Sequence, residues 1–423
     1  MKVAFFVHRF PVISEAFIVN AAVGLIDAGH TVDIYALEGP ADPSAKRHAL
    51  VDRYRLEERT HTFRLNGLPR RQAALAPMAG LRVAAHHGLK AGSIVDTECF
   101  GPQRLGLRAL HEASLFRGGG KYDILHCHFG TLADAVLDHR RAGFLSGEVV
   151  VHFRGYDISK FVQEQGERAY DRVFRDADAF IANCGFFRDR AIALGSPVDR
   201  THVVGSGVAV DSFRFTARSW APGEPLRLLG IGRLVEKKGF RFAVEAVARL
   251  VSEGVDARLT IAGGGELLSA LQDQAMALGI ADRVVFTGAV THEQIARLLD
   301  ESHALLAPST TASNGDRDAS INTVKEAMAA GCPFVTSDHG GIPELVEGVD
   351  AGVMVREGDA EALVAGLRQL LARQGEWAEM GRRGRAHVLS RYSIEAVTAK
   401  TLQVYEQAIA SRSPQAGHKR SIS

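Results

Sequence analysis

Two carboxylates, Asp318 and Glu326, stand with seven residues between them on either side of the start of a helix read from Asn322 to Ala330. They belong to the stretch TASNGDRDASINTVKEAMAAGCPFVTSDHGGIPEL. One acid ahead of a helix and one inside it can face a single crevice and reach two ends of an extended polar ligand, since a carboxylate accepts from vicinal hydroxyls. The free N–H groups at the helix start, near Asn322 and Thr323, add an anion site and a favourable dipole. Arg233 and Lys238 bracket a loop between a strand and a helix, where two cations would neutralise a diphosphate. On spacing alone they read equally well as surface charges. His126 and His128 lie at the end of a strand, and no third ligand is spaced to make a metal site with them. Arg154 ends another strand, with His152 on the same side.

The elements that must carry these residues are strands and helices in alternation. Val3 to Val7 is a wholly apolar run of the kind that forms a buried parallel strand, followed by a loop, a helix to about Ala28 and a strand from Thr31 to Tyr35. Further strands are read at Tyr122–Leu125, Glu148–Phe153 and Ala179–Asn183. A second series opens at Leu226–Ile231 and continues through Arg258–Ala262, Val284–Gly288 and Ala304–Pro308. Both halves therefore predict an α/β fold of two Rossmann-like, doubly wound domains facing a cleft, with ligands at the carboxyl ends of the strands. No G-x-G-x-x-G follows the first strand, which weakens a dinucleotide reading. The expected division is a first domain over 1–213, a Pro- and Gly-containing linker over Arg214–Pro225, and a second domain over 226–392. A helix over 393–412 and a disordered tail over 413–423 follow.

The chain of 423 residues is long enough for two cores, and its 50 Lys and Arg nearly balance 49 Asp and Glu, so no global field points to nucleic acid. From Lys46 to His111, twelve Lys and Arg face five Asp and Glu, in a segment that reads either as a solvated helical pair or as a basic face on an anionic membrane. The four cysteines never form C-x-x-C, which fits a reducing compartment. No signal peptide is apparent and no apolar run is long enough to span a bilayer, so a cytoplasmic protein, peripheral to the membrane at most, is expected.

The organising stretch resembles the signature of the retaining GT-B glycosyltransferases of family 4, and within them the branch that builds bacterial exopolysaccharides such as colanic acid. The usual line there runs E-G-x-P-N-x-x-x-E-A-M-A. Here Asp318 stands for the first Glu, Ala319 for the Gly and Ile321 for the Pro, while Asn322, Glu326, Ala327, Met328 and Ala329 match. Gly340-Gly341-Ile342-Pro343-Glu344 and the Gly232-Arg233-Leu234 to Lys238-Gly239 loop match as well, and Ser14-Glu15 matches the opening Ser-Glu-Thr-Phe-Ile with Ala16 for the Thr.

The resemblance implies a nucleotide diphosphate sugar donor, UDP- or GDP-linked, a glycan or lipid-linked glycan acceptor, and neither cofactor nor divalent metal. It implies that Arg233 and Lys238 hold the diphosphate, Glu326 the ribose and Asp318 the donor sugar. Gly264, Thr287, Ala319, Ser320, Ile321, Asn322 and Thr323 would line the rest of the donor site. Ser14, Glu15, His128 and Asp157 are the acceptor candidates. His128 and Arg154 join the two acids and two cations as catalytic candidates. The family commonly has His-Gly-x-Asp where this chain has Arg154-Gly155-Tyr156-Asp157. An arginine there cannot act as a base at neutral pH but can bind phosphate bidentately. Asp318 is also one methylene shorter than the usual Glu. The alternative is a catalytically degenerate GT-B protein that binds a nucleotide sugar or a partner without turnover. The sugar-nucleotide 2-epimerases, which share the fold, carry different cleft motifs.

Overall fold

The computed structural model describes residues 1–12, 15–40, 48–63, 69–88, 107–318 and 321–412. Ser14, Ala319, Ser320 and the 413–423 tail fall outside them, as do the side chains of Arg70 and Arg71.

Two parallel sheets form. The first takes β1 (Lys2–Arg9), β2 (Thr31–Glu38), β3 (Thr60–Thr62), β4 (Lys121–Cys127), β5 (Ser146–Phe153), β6 (Ala179–Ala182) and β7 (Thr201–Val203) in the order β3-β2-β1-β4-β5-β6-β7. The second takes β8 (Leu226–Ile231), β9 (Ala257–Ala262), β10 (Val284–Gly288), β11 (Ala304–Ala307), β12 (Phe334–Ser337) and β13 (Gly352–Val355) in the order β10-β9-β8-β11-β12-β13. The apolar runs form central strands because helices cover both sheet faces; Val3 through Val7 are all buried. Strand order reverses between β1 and β4 in one sheet and between β8 and β11 in the other. Loops leaving those neighbours part in opposite directions, and a crevice opens between them.

The last helix, Ile394–Arg412, returns to the first sheet, burying Val397, Val404, Tyr405 and Ala408 in one core with Val3 and Phe5. Two expectations are corrected here. The first domain does not run to Phe213: Val208, Val210 and Phe213 already pack with Leu229 and Ile231 in the second core. Nor is Arg214–Pro225 a free linker. Buried Arg218 donates to the carbonyls of Thr216 (2.9 Å), Leu299 (2.8 Å) and Ala330 (3.4 Å), fastening the stretch to the second unit. Proline and glycine signal turns but not what those turns pack against.

The units also touch across the crevice. The helix Gly185–Ala193, which follows β6, starts without a cap from its own N-cap side chain. The Glu344 carboxylate, from the helix after β12, accepts its Gly185 and Phe186 N–H groups, the second at 2.8 Å. A carboxylate at a helix N-terminus gains from both hydrogen bonds and dipole. Such charge-assisted bonds contribute about 1–3 kcal/mol, a factor of roughly 5 to 150 between clamped and opened arrangements. Glu344→Ala is expected to enlarge the radius of gyration measured by small-angle scattering, and Glu344→Gln to enlarge it less. An unchanged radius in the alanine variant would show that other contacts hold the units together.

Candidate active site

Two loops meet at the carboxyl ends of β8 and β11. The first, Gly232 to Gly239, ends in a 3-10 turn, Glu236–Lys238. Gly239 has φ of +64°, and a Cβ there would lie 1.9 Å from the Pro308 carbonyl oxygen, so only glycine lets this loop rest against the chain leaving β11. The glycine triplet supports the same loop from the β9 side. A Cβ on Gly263 would collide with the Gly232 carbonyl and one on Gly265 with the Leu234 carbonyl, while the Gly264 carbonyl accepts the Leu234 N–H at 2.9 Å.

The turn delivers two lysines to one acid. Lys238 Nζ lies 2.7 Å from Asp318 Oδ2 and Lys237 Nζ 3.5 Å from Oδ1, and Lys237 also pairs with Asp316 at 2.9 Å. Ser309 Oγ donates to Asp318 Oδ2 at 3.1 Å. Burial pushes the Asp318 carboxyl up, but the Lys238 and Lys237 ammonium groups outweigh it and hold it at about 2. Arg233 extends exposed from the same loop, and Thr287 lies exposed at the end of β10.

Next comes the helix Asn322–Ala330, which closes on Gly331 at φ +73°. Ile321, at its N-cap, is buried and supplies no side-chain cap to the first turn. Burial raises Glu326 to about 7, opposed by Lys325. Lys325 is fully buried; desolvation lowers it to about 7, and its Nζ donates to the Ser206 carbonyl at 3.0 Å and lies 4.7 Å above the Tyr392 ring.

Across the crevice the first unit presents Glu15, just ahead of the helix Ala16–Asp27. Burial raises its carboxyl to about 7 against the charges of Arg154, Arg233 and Arg9, and Oε2 is buried with no partner among the described residues. Arg233 belongs to the second unit, so the two halves of the crevice meet at this acid.

The structure revises the other first-unit candidates. His128 is wholly buried, its ring stacked 4.3 Å from His126, rather than lining the cleft. Arg154 is not a free fork for phosphate. Its Nε donates to the His128 carbonyl (3.1 Å), Nη1 to Ser206 Oγ (3.3 Å), and Nη2 to Nδ1 of both His128 (3.0 Å) and His152 (3.1 Å). The guanidinium also covers the Phe17 ring at 4.3 Å. Burial lowers Arg154 to about 10, which leaves it cationic at neutral pH. Asp157 is likewise a brace rather than an acceptor ligand. It is fully buried, and its two oxygens accept the N–H groups of Gly130 (2.9 Å), Arg154 (2.9 Å) and Gly155 (3.0 Å).

Residues 14–207 match the family described as "Glycosyl transferase 4-like domain" and residues 225–373 that described as "Glycosyl transferases group 1". The amylovoran biosynthesis glycosyltransferase AmsK of Erwinia amylovora is 35% identical over 381 residues, 89% of this chain and 91% of that protein. The putative colanic acid biosynthesis glycosyltransferase WcaL of Salmonella typhimurium is 32% identical over 372 residues, 87% of this chain and 90% of its own. This chain belongs to the exopolysaccharide-biosynthesis glycosyltransferase family. Its GT-B fold is shared by Anabaena HepE, solved in complex with UDP and glucose, with a TM-score of 0.67 and 17% identity over 96% of this chain and 99% of HepE.

In this glycosyltransferase, Lys237 and Lys325 went unmarked in the sequence. Lys237 sits beside a motif lysine, and only the turn geometry brings both onto Asp318. Lys325 lies inside the helix signature, where a lysine ordinarily faces water.

Burial holds His126, His128 and His152 well below their ordinary value, and each leaves Nε2 without a partner among the described residues. Unfolded histidines take protons below about 6.5. In that range the unfolded chain binds more protons, so stability is complete above 6.5 and falls with pH. Glu15 and Glu326 act oppositely between 7 and 4.5. They are outnumbered by the three stacked histidines together with His292 and His303, both lowered to about 4. Denaturation at pH 7.5 and 5.5 is expected to show a loss of about 1–3 kcal/mol at the lower value, on the scale of one or two full pKa units. A flat profile would mean that the folded protein protonates these rings freely.

Proposed function

We propose that this glycosyltransferase moves a sugar from a nucleotide diphosphate sugar, UDP- or GDP-linked, to a glycan or lipid-linked glycan acceptor with retention at the anomeric carbon. The observation that supports this reading is the Lys238–Asp318 ion pair at the carboxyl ends of β8 and β11, with Arg233 exposed on the same loop and the helix that carries Glu326 following directly after Asp318 in the chain. An acceptor oxygen bonds to the anomeric carbon on the face from which the diphosphate departs. The anomeric C–O bond breaks with its electron pair going to the diphosphate, and the acceptor proton passes to the departing phosphate oxygen. Arg233 and Lys238 stabilise the charge that grows there, assisted by the N–H groups near Asn322 and Thr323. These cations supply the positive charge, so the step as proposed uses neither cofactor nor divalent metal.

Glu326 accepts from the ribose hydroxyls and Asp318 from the donor sugar. Gly264 and Thr287 flank the base. Glu15, whose Oε2 has no partner among the described residues, receives an acceptor hydroxyl. HepE was solved with UDP and glucose, which suits a UDP-sugar.

Calorimetric titration with UDP-, GDP-, ADP- and TDP-sugars in the absence of metal is expected to find one micromolar donor. Arg233→Ala should weaken that donor by about ten- to a hundredfold, as loss of one charge-assisted contact implies. Binding of none would remove the donor-site assignment.

We further propose work at the cytoplasmic face of an anionic membrane. No helix among the described residues is long and apolar enough to cross a membrane, but the helix Pro69–His87 exposes Met78 (56%) and Leu81 (72%) in the basic segment. Neutralising Arg70 and Arg71 should abolish flotation with anionic liposomes; equal flotation would exclude this face.

A further inference from the structure

The loop that carries Asp318 is held from behind by a residue with no part in the chemistry described above. Asp318 donates its backbone N–H to His339 Nε2 at 3.0 Å. A backbone N–H can only donate, so Nε2 must offer its lone pair and the ring proton must sit on Nδ1. Nδ1–H points at the Glu357 carboxylate, with which it hydrogen-bonds. Glu357 in turn accepts the Thr311 N–H at 3.0 Å and the Thr311 hydroxyl at 3.1 Å. The chain Asp318–His339–Glu357–Thr311 thus joins both ends of the loop after β11 to the strands β12 and β13.

Burial makes this connection demanding. His339 is 1% exposed and the Asp318 N–H is buried with it. The turn that follows the histidine is pressed against the same backbone: Gly340 has φ of +55°, and a Cβ there would lie 2.1 Å from the Asp318 carbonyl oxygen. A ring that shifted would leave a buried donor unpaired, at a cost comparable to a lost hydrogen bond. The loop between the two anchors carries both acids that hold Lys237 and Lys238.

We infer that His339 is the positioning residue of the donor loop. Working as a neutral imidazole clamped by Glu357, it fixes where the Asp318 carboxylate, and through it the Lys238 ammonium, meet the sugar diphosphate. The inference deepens the donor-site reading proposed above and rests on it for the ligand, but not for the brace itself.

Two amides separate the ring's two contacts. The oxygen of Gln in His339→Gln can stand where Nε2 accepts from Asp318, whereas Asn in His339→Asn reaches only the Nδ1 side and Glu357. Hydrogen exchange of the ligand-free protein reads the brace directly. Exchange of the Asp318 amide should accelerate about tenfold or more in His339→Asn and His339→Phe, and much less in His339→Gln. Titration with the nucleotide sugar found for the wild type should show about tenfold weaker binding in the Asn and Phe variants and near-normal binding in Gln. The matching nucleoside monophosphate, which lacks the sugar and second phosphate, should bind all four proteins alike.

Equal exchange in wild type and His339→Asn would overturn the inference. So would donor affinity that is the same in Asn and Gln, or a loss shared by the monophosphate, which would mark general damage to the cleft. If the wild type binds no nucleotide sugar, the proposed donor site falls, and the exchange experiment still decides whether His339 holds the loop. Should the Phe variant fail to fold, the Gln and Asn pair carries the test.

Discussion

A carboxylate buried between two ammonium groups is the constraint on which the second unit's crevice depends. Removing a carboxylate from water costs several kcal/mol unless opposite charge and hydrogen bonds replace the lost hydration. Asp318 meets that requirement with Lys238, Lys237 and Ser309. The consequence reaches the backbone: adjacent lysines turn onto one acid only through the tight turn at Glu236–Lys238, and that turn fits only because Gly239 lies on the Pro308 carbonyl. The arrangement also answers the opposite difficulty. Two adjacent ammonium groups held on one turn repel one another, and Asp316 and Asp318 offset that repulsion.

The first unit solves burial of charge differently. Arg154 has no carboxylate bonded to its side chain among the described residues; its acceptors are a carbonyl, a hydroxyl and two imidazole lone pairs. Neutral acceptors suffice because a guanidinium is weakly hydrated and spreads its charge over a planar fork. Their neutrality is then compulsory: a protonated ring at His128 or His152 would turn a donor toward Arg154. Burial first, and the Arg154 charge in addition, hold the stacked rings well below their ordinary range. Arg154 also removes the His152 Nδ1 lone pair as a base, since it already occupies that lone pair. Arg154, bonded to the ends of β4 and β5 and to Ser206, is part of the packing of the first unit.

What could be read from the chain beforehand follows from where each signal is local. The helix Asn322–Ala330 was legible because its formers and its Gly331 stop lie within a few residues, and the buried strands because apolar runs declare themselves. Arg154 was not, because its partners His128 and Ser206 stand 26 and 52 residues away. Asp157 failed for a related reason: one of its three donors, Gly130, comes from the end of another strand. His339 carries no signal of its own in the sequence, since only the parallel order of β11, β12 and β13 brings it to Asp318 and Glu357.

The adjacent pair Lys325 and Glu326 shows how one helix serves both units. Successive residues on a helix point about 100° apart, so two neighbouring charges need not neutralise each other. Lys325 turns to the Ser206 carbonyl and the Tyr392 ring, where the chain passes between units, while Glu326 is buried on another side of the helix. Burial draws both toward about 7 from opposite sides. Lys325 holds Ser206 by its carbonyl and Arg154 holds the same residue by its hydroxyl, so Ser206 ties this helix of the second unit to the buried guanidinium of the first.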